Sequence, residues 1–368
     1  MIDGKILRNE EKAIYALRSL YGRYGYKPFK MSKFEEYEFY IQNKDFLVSD
    51  RIIAFNDTNG KLLALKPDVT LSIVKSGEDI EGYKQKVCYN ENVYRVSENT
   101  HQFKEIMQTG VECIGKIGLY DIYEMTVMAA ESLELISNDF VLEISHLGLI
   151  SSLLDNVCKN ASFKQQAIKY ISDKNSHDLS RVCDENSVDE SLKSILLNFV
   201  SIYGERNSVL QKLEALAQFV DANYINELKT LSAMLDNLNC SDKIKFDFSV
   251  VSNMNYYNGI VFKGYISGIS QSVLSGGQYD NLLHKMGRRS GAVGFAIYLD
   301  LLEDLPDDSG EFDVDVLLLC DDTADNGALV SAVEQIVSSG KSVSVQNSDT
   351  GKIRYKQVKD IRGRGINA

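Results

Sequence analysis

What the sequence does not contain already limits the class of protein. No apolar run approaches the roughly 18 residues that a membrane-spanning helix requires. The first residues, Met1-Ile2-Asp3-Gly4-Lys5, do not open a signal peptide. We therefore expect a cytoplasmic protein with no membrane partner.

Residues that commonly bind metals are few and scattered. The 4 histidines are too dispersed to suggest a zinc site, and the 6 cysteines show no CxxC or other metal-like spacing. The histidines stand at positions 101, 146, 177 and 284, and the cysteines at 88, 113, 158, 183, 240 and 320. We expect reduced, mostly structural thiols, no metal site and no cofactor.

Positive charge is also scarce. Lys and Arg number 40 against 52 Asp and Glu, so the formal net charge is -12. A nucleic-acid binder usually needs a basic face, because phosphate neutralisation supplies most of its affinity. The charge balance therefore argues against a nucleic-acid partner, although an acidic total does not exclude a local basic patch.

The composition that remains is that of an ordinary globular protein. Hydrophobic residues make up 44% and charged residues 25% of 368 positions, which is enough chain for two domains. Strand and helix patterns alternate over the first part of the chain, give way to amphipathic helical windows, and resume at Lys243. We predict an α+β domain over residues 1–305, with a helical insertion at about 150–240.

A short second unit follows. Asp307-Asp308-Ser309-Gly310 has the composition of a linker, and a β-α-β pattern runs from Val314 to Val345, with a third strand near Tyr355. We predict that residues 311–368 form a shortened α/β unit, small for a complete domain of this kind.

The stretch Tyr256-Tyr257-Asn258-Gly259-Ile260-Val261-Phe262 is the most distinctive segment. It lies within a Val-, Ile-, Tyr- and Phe-rich region from Lys243 to Ile269, which favours two paired strands joined near the Asn-Gly turn. Adjacent tyrosines on a strand point to opposite faces, so one could line a pocket while the other packs. Two tyrosines that only fill space remain the alternative.

Two earlier segments place polar side chains where a ligand could bind. In Lys66-Pro67-Asp68-Val69-Thr70, Asp68 or Thr70 could cap a following helix or grip an ammonium group. In Gln108-Thr109-Gly110-Val111-Glu112, alternation puts Gln108, Gly110 and Glu112 on one face of a strand. A solvent-exposed face and a ligand pocket both fit that pattern, because buried carboxylates are costly unless they are paired.

Six segments, taken in order, resemble the catalytic domain of histidyl-tRNA synthetase over roughly residues 5–305. They are Lys66-Pro67-Asp68-Val69-Thr70, Tyr94-Arg95, Gln108-Thr109-Gly110-Val111-Glu112, Tyr256 to Phe262, Gly276-Gly277-Gln278-Tyr279-Asp280 and Gly291 to Ile297. The resemblance implies the class II aminoacyl-tRNA synthetase fold, an antiparallel sheet flanked by helices. In that fold, free histidine lies against a carboxylate-threonine pair, a Gln-x-Gly-x-Glu strand and a tyrosine pair.

The departures from this family concern the ATP site. Ser252-Asn253-Met254-Asn255 stands where the family has Arg-Gly-Leu-Asp, and Tyr298-Leu299-Asp300-Leu301 stands where it has Gly-Leu-Glu-Arg. Gln278 replaces another arginine, and Ser32 replaces a proline. Cations stabilise the charge that develops in phosphoryl-type chemistry. With Arg95 alone kept in place, we expect no activation of histidine by ATP and no catalytic residue.

The resemblance leaves the amino-acid pocket intact. It assigns Asp68 and Thr70 to the α-ammonium group of histidine, and Glu112 with one tyrosine to the imidazole, while Gln108 and the other tyrosine assist. The histidine-binding residues that we predict are Asp68, Thr70, Arg95, Gln108, Glu112, Tyr256 and Tyr257.

Asp68 in place of the usual glutamate, together with the short C-terminal unit, resembles the regulatory-subunit family of ATP phosphoribosyltransferase. That family is a paralogue of the synthetase in histidine biosynthesis. The resemblance implies a non-catalytic subunit, needed for the activity of a short catalytic subunit and for feedback inhibition by L-histidine. It also implies a homodimer within a hetero-oligomer.

Two other functions stay open at this point. One is an active histidyl-tRNA synthetase with an unusual ATP site, against which Ser252 and Leu301 argue. The other is a stand-alone synthetase-like regulator that binds an amino acid or RNA.

Overall fold

A computed structural model describes residues 7–47, 51–97, 100–251, 256–305, 312–322 and 324–362. The chain divides into two units, of which the larger spans Glu10–Leu305 and the smaller contains the described residues from 312 onwards. The predicted linker Asp307-Asp308-Ser309-Gly310 lies outside the described residues.

Amphipathic segments form the helices. They are α1 (Asn9–Arg23), α2 (Tyr37–Gln42), α3 (Thr70–Ser76), α4 (Leu119–Ile136), α5 (Leu147–Val157), α6 (Ala161–Ser172), α7 (Ser176–Glu185), α8 (Glu190–Val200), α9 (Arg206–Glu214), α10 (Ala222–Leu235), α11 (Asp280–Lys285) and α12 (Asn326–Ser338). Along α1, Ala13, Leu17, Leu20 and Tyr21 are buried at the spacing of one helix face. The segment predicted as a helical insertion holds α5 to α10, and each of these helices contributes buried apolar residues to the main core.

Extended segments form the strands. They are β1 (Lys27–Pro28), β2 (Phe34–Glu36), β3 (Ala54–Asn56), β4 (Leu62–Leu65), β5 (Gln85–Val96), β6 (Phe103–Gly115), β7 (Phe140–His146), β8 (Tyr203–Glu205), β9 (Ile244–Asp247), β10 (Ile260–Ile266), β11 (Leu274–Gln278), β12 (Gly291–Tyr298), β13 (Val314–Leu319), β14 (Val343–Gln346) and β15 (Tyr355–Asp360).

One large sheet dominates the larger unit. Within the described residues it contains nine strands, in the order β1-β5-β6-β12-β11-β10-β7-β9-β8. Its pairs are antiparallel except β1 with β5 and β7 with β9. Helix α4 contacts β7, β10, β11 and β12. An antiparallel sheet flanked by helices is the α+β architecture that the resemblance implies.

The prediction that Lys243–Ile269 forms a pair of adjacent strands is wrong. Both strands exist, as β9 and β10, but β7 lies between them in the sheet. Asn258 precedes β10 and, instead of closing a hairpin, exchanges two hydrogen bonds with Asp280. The strand pattern in a sequence specifies which residues are extended, and it does not specify which strand becomes the neighbour.

The described residues also form two small sheets. Strands β2, β4 and β3 form an antiparallel sheet, in which the predicted hairpin β3–β4 turns at Asp57, whose carboxylate accepts the amides of Asn59 and Lys61 at 2.8 Å. In the C-terminal unit β14, β13 and β15 are parallel. Among the residues described, no helix is both long and apolar enough to cross a membrane.

Candidate functional site

All seven predicted histidine-binding residues line one cavity of about 360 Å³ in the larger unit, a volume within the range of small-molecule sites. They come from the β4–α3 junction, β5, β6 and the segment before β10. The cavity is lined by Phe46, Leu47, Asp68, Val69, Thr70, Tyr89, Arg95, Gln108, Glu112, Tyr256, Tyr257, Ser275, Tyr279, Gly294, Phe295, Ala296 and Tyr298.

Glu112 on β6 is the most enclosed acid of the cavity, with 2% of its surface exposed. The hydroxyl of Thr70 donates to Oε1 at 2.7 Å, and the hydroxyl of Tyr279 donates to Oε2 at 2.6 Å. Burial raises the pKa of Glu112 from 4.5 to about 8, against the lowering effect of those two hydrogen bonds. Near neutral pH the group is therefore held mostly as the uncharged acid.

Asp68 contacts the first turn of α3 and also faces the cavity, while its binding of an ammonium group stays a prediction. Its Oδ1 accepts the amide of Leu71 at 2.9 Å, which satisfies a free donor in the first turn of α3, and the same side chain lines the cavity. Burial raises the pKa of Asp68, while the amide of Leu71 and the positive charge of Arg95 lower it.

Arg95 on β5 brings the positive charge. Its Nε donates to the carbonyl oxygen of Pro67 at 3.0 Å, so the guanidinium is fixed to the turn that carries Asp68. Of the lining residues in the described part of the chain, Arg95 is the only basic one. Gln108, 4% exposed, shares the cavity face of β6 with Glu112 and pairs with Tyr298 of β12.

The prediction that Tyr256 and Tyr257 point to opposite sides is wrong. Both line the cavity, and their ring centroids lie 4.5 Å apart. The two residues precede β10 rather than belonging to it, so the alternation of a strand does not apply to them. Tyr256 also lies 5.5 Å from Tyr279 and 6.1 Å from Phe46, ring centre to ring centre. Burial raises the pKa of both tyrosines, so they stay neutral hydroxyl donors.

Sequence reasoning did not single out Tyr89, Tyr279 or Tyr298 as site residues. Tyr89 stands directly opposite Gly110 across the β5–β6 pair, a relation that only the strand register reveals. Tyr279 lies in the Gly-Gly-Gln-Tyr-Asp motif, one of the six segments that resemble the synthetase family, so its position in that motif could have identified it as a site residue.

The positions that depart from the synthetase pattern have other contacts here. Gln278 accepts the amide of Ile260 at 2.9 Å, which joins β11 to the start of β10. Leu301 is half-buried against the main core. Ser252-Asn253-Met254-Asn255 lies outside the described residues. Within the residues that the structure describes, no group of three or more His, Cys, Asp or Glu side chains could hold a metal ion.

The cavity therefore combines two carboxyl groups, one guanidinium and several hydroxyls between aromatic walls. Such a set can bind a small zwitterion that carries an additional hydrogen-bonding or basic group.

Comparison with known proteins agrees with this arrangement. The family model described as histidyl-tRNA synthetase matches residues 5–302. The chain belongs to the histidyl-tRNA synthetase family. Its fold is accordingly that of the class II synthetases, as the motifs predicted.

Several individual relatives are named regulatory subunits of ATP phosphoribosyltransferase. An ATP phosphoribosyltransferase regulatory subunit from Clostridium botulinum is 29% identical over 292 residues, which cover 77% of this chain and 69% of the relative. A solved structure from Bacillus halodurans, titled an ATP phosphoribosyltransferase regulatory subunit/histidyl-tRNA synthetase, is 23% identical with a TM-score of 0.77, covering 96% of this chain and 94% of that one. A chain of the ATP phosphoribosyl transferase (HisG:HisZ) complex from Thermotoga maritima is 20% identical with a TM-score of 0.63, covering 79% and 97%.

Proposed function

We propose that this member of the histidyl-tRNA synthetase family is a regulatory subunit of ATP phosphoribosyltransferase and catalyses no reaction itself. A short catalytic subunit requires it for activity in the first step of histidine biosynthesis, and L-histidine inhibits the complex through it. The name of the Clostridium botulinum relative and the composition of the Thermotoga maritima complex support this role.

The observation that carries the ligand assignment is the pairing of Asp68 and Glu112 with Arg95 in one cavity. L-Histidine offers a carboxylate, an ammonium and an imidazole, and each has a complement there. Arg95 receives the carboxylate, Asp68 the ammonium, and Glu112 the imidazole. Thr70 donates to Glu112 at 2.7 Å, while Gln108, Tyr256 and Tyr257 enclose the ligand.

Charge also argues against ATP in this cavity. A triphosphate needs several cations or a metal ion to offset its charge, and Arg95 is the only basic residue among the described lining residues. The four residues Ser252-Asn253-Met254-Asn255 bring no basic side chain to the site whatever their position. The chain therefore recognises the amino acid without activating it.

Regulation follows from linkage. Histidine stabilises the arrangement of the hetero-oligomer that it binds best, and ligands of the catalytic subunit alter histidine affinity by the same factor.

The building block is a homodimer, which light scattering on the purified chain tests. We place the complex in the cytoplasm, where its substrate ATP is plentiful, and assign it no nucleic-acid partner. Residues 311–368 form a shortened anticodon-binding-like unit that follows a synthetase-like domain of residues 1–305.

Reconstitution with a short catalytic subunit tests this function. The substitution Asp68→Asn suits the test, because an amide oxygen still accepts the amide of Leu71 while the negative charge is lost. We expect the variant to activate the catalytic subunit normally and to require about 5- to 150-fold more histidine for inhibition. Asp57→Asn is the matched control, since Asp57 also accepts backbone amides but lies in the β3–β4 turn.

Three results would contradict the proposal in different ways. Undiminished histidine inhibition with Asp68→Asn overturns the pocket assignment. Failure to activate any short catalytic subunit overturns the regulatory role. Histidine-dependent pyrophosphate exchange by the chain alone identifies a working synthetase instead.

A further inference from the structure

Gly294 on β12 stands directly opposite Glu112 on β6 in the strand register. A Cβ atom at Gly294 would lie 1.7 Å from Glu112 Oε2 and 2.6 Å from its carboxyl carbon. The carboxylate therefore occupies the space that a side chain at position 294 would need. The side chain of Glu112 therefore lies over the backbone of β12 at Gly294.

The next strand pair repeats this arrangement. Tyr89 on β5 is paired with Gly110 on β6, and a Cβ atom at Gly110 would lie 2.5 Å from the Tyr89 hydroxyl oxygen and 2.3 Å from the backbone carbonyl oxygen of Phe295. Tyr89 and Glu112 both line the cavity. Two polar side chains of the cavity wall thus each lie over a glycine of the adjacent strand.

From this geometry we propose that Gly294 and Gly110 are positioning residues. Each leaves room for a polar side chain to lie flat against the sheet, and together they set the depth of the cavity and hence the size of the amino-acid side chain that it accepts. This inference rests on the proposed function for the identity of the ligand, and on the strand register for the role of the glycines.

The contacts of Glu112 explain why its position is sensitive. Thr70 and Tyr279 hold its two oxygens from different elements, α3 and the residue before α11. A methyl group at position 294 displaces the carboxylate from both hydroxyls and into the ligand volume. It also comes within 2.5 Å of the Val111 carbonyl oxygen, so part of the effect falls on the backbone.

A double-mutant cycle separates the two effects. Gly294→Ala, Glu112→Asp and the double variant are compared with the wild type by calorimetric titration with L-histidine. We expect each single substitution to weaken binding by about tenfold or more. The double variant should bind more tightly than the product of the two losses, because the shorter aspartate leaves room for the added methyl group. Strictly multiplicative losses overturn the proposal.

Two other glycines provide controls. Gly22 lies on α1 with nothing within 4 Å of an added Cβ atom, so Gly22→Ala should leave histidine binding unchanged. Gly264→Ala adds a methyl group against Leu133 and Leu274 in the core of β10, and reports the effect of overpacking outside the cavity. If Gly264→Ala weakens histidine binding as much as Gly294→Ala does, the positioning role is contradicted.

The cycle also gives a result if histidine is not the ligand. A wild-type chain that does not bind L-histidine refutes the proposed function, and the cycle is then measured by urea unfolding of the four proteins. Coupling between positions 294 and 112 in the unfolding midpoint supports the positioning role, and additive changes contradict it. If Gly294→Ala does not fold, recovery of folding in the double variant supports the role. If neither variant folds, Gly110→Ala with Tyr89→Leu forms the second cycle, judged by the same criterion.

Discussion

Buried acidic residues on the two sides of the central sheet have different partners. On the face covered by α4, Asp121 and Glu124 are nearly buried, and each forms an ion pair with a lysine, Lys84 at 2.6 Å and Lys86 at 2.5 Å. On the cavity face, Glu112 is equally buried, but its hydrogen-bond partners are hydroxyl groups. In the described part of the chain no lysine or arginine forms an ion pair with it.

The partner of a buried acid therefore distinguishes structural acids from binding acids in this fold. A buried carboxylate with a lysine partner is neutralised within the protein, and breaking the pair leaves an uncompensated charge. A buried carboxyl group that has only hydroxyl partners remains protonated until a ligand supplies positive charge or hydrogen-bond donors. Glu112 therefore belongs to the second class, and the experiments below test that division.

The largest expected effect is on the pH dependence of stability. Because the pKa of Glu112 is raised from 4.5 to about 8 in the folded chain, the fold binds its proton more tightly than the unfolded chain does. Relative to Glu112→Gln, the wild type should lose stability as pH rises from about 4.5 to about 8, and by no more beyond that. The total difference is on the order of 5 kcal/mol. Urea unfolding of both proteins between pH 5 and 9 measures it, and parallel pH profiles would show that Glu112 is ionised in the fold.

The next effect belongs to the helix face. Lys86→Ala leaves Glu124 buried without its cation and should lower the free energy of unfolding by about 3 kcal/mol. Histidine affinity should not change, because neither residue lines the cavity. Unfolding curves and a histidine titration of the same preparation check both expectations. If Lys86→Ala remained folded but lost histidine binding, the ion pairs on the α4 face would also affect the binding site. The division between structural acids and binding acids would then be contradicted.

Glu112→Gln should show the opposite behaviour. The amide cannot balance a cationic imidazole, so we expect a loss of about 1–3 kcal/mol in histidine binding, or 5- to 150-fold in affinity. Stability at pH 8 should not fall. Glu105→Gln is a control on the same strand, because Glu105 lies at the exposed end of β6. If the wild type and Glu112→Gln bound histidine with equal affinity, Glu112 would not be a histidine-binding residue.

The smallest effect should come from one hydroxyl group. Tyr279→Phe removes the donor to Glu112 Oε2 while keeping the ring against Tyr256. We expect a loss of about 1 kcal/mol in histidine binding, and a further rise in the pKa of Glu112, since that hydrogen bond lowers it. The exposed Tyr15 provides a neutral control as Tyr15→Phe. A titration at two pH values on either side of 8 detects both changes.

The sequence predicted the family and the fold, and both predictions are confirmed. It also predicted which residues meet in one cavity, since motifs far apart in the chain resembled a single family in order. Roles such as ammonium or imidazole binding stay predictions. Pairing could not be read from the sequence: β9 and β10 looked like a hairpin, and β7 lies between them. For the same reason Tyr89 was missed, because its place opposite Gly110 depends on strand register.

The most direct test of the account is calorimetric titration of the purified chain with L-histidine and, separately, with ATP, followed by a pyrophosphate-exchange assay. We expect saturable histidine binding, weakened in Glu112→Gln, with no exchange in the presence of ATP. Histidine-dependent exchange would contradict it, and would mean that other groups replace the arginines missing at positions 252 and 301.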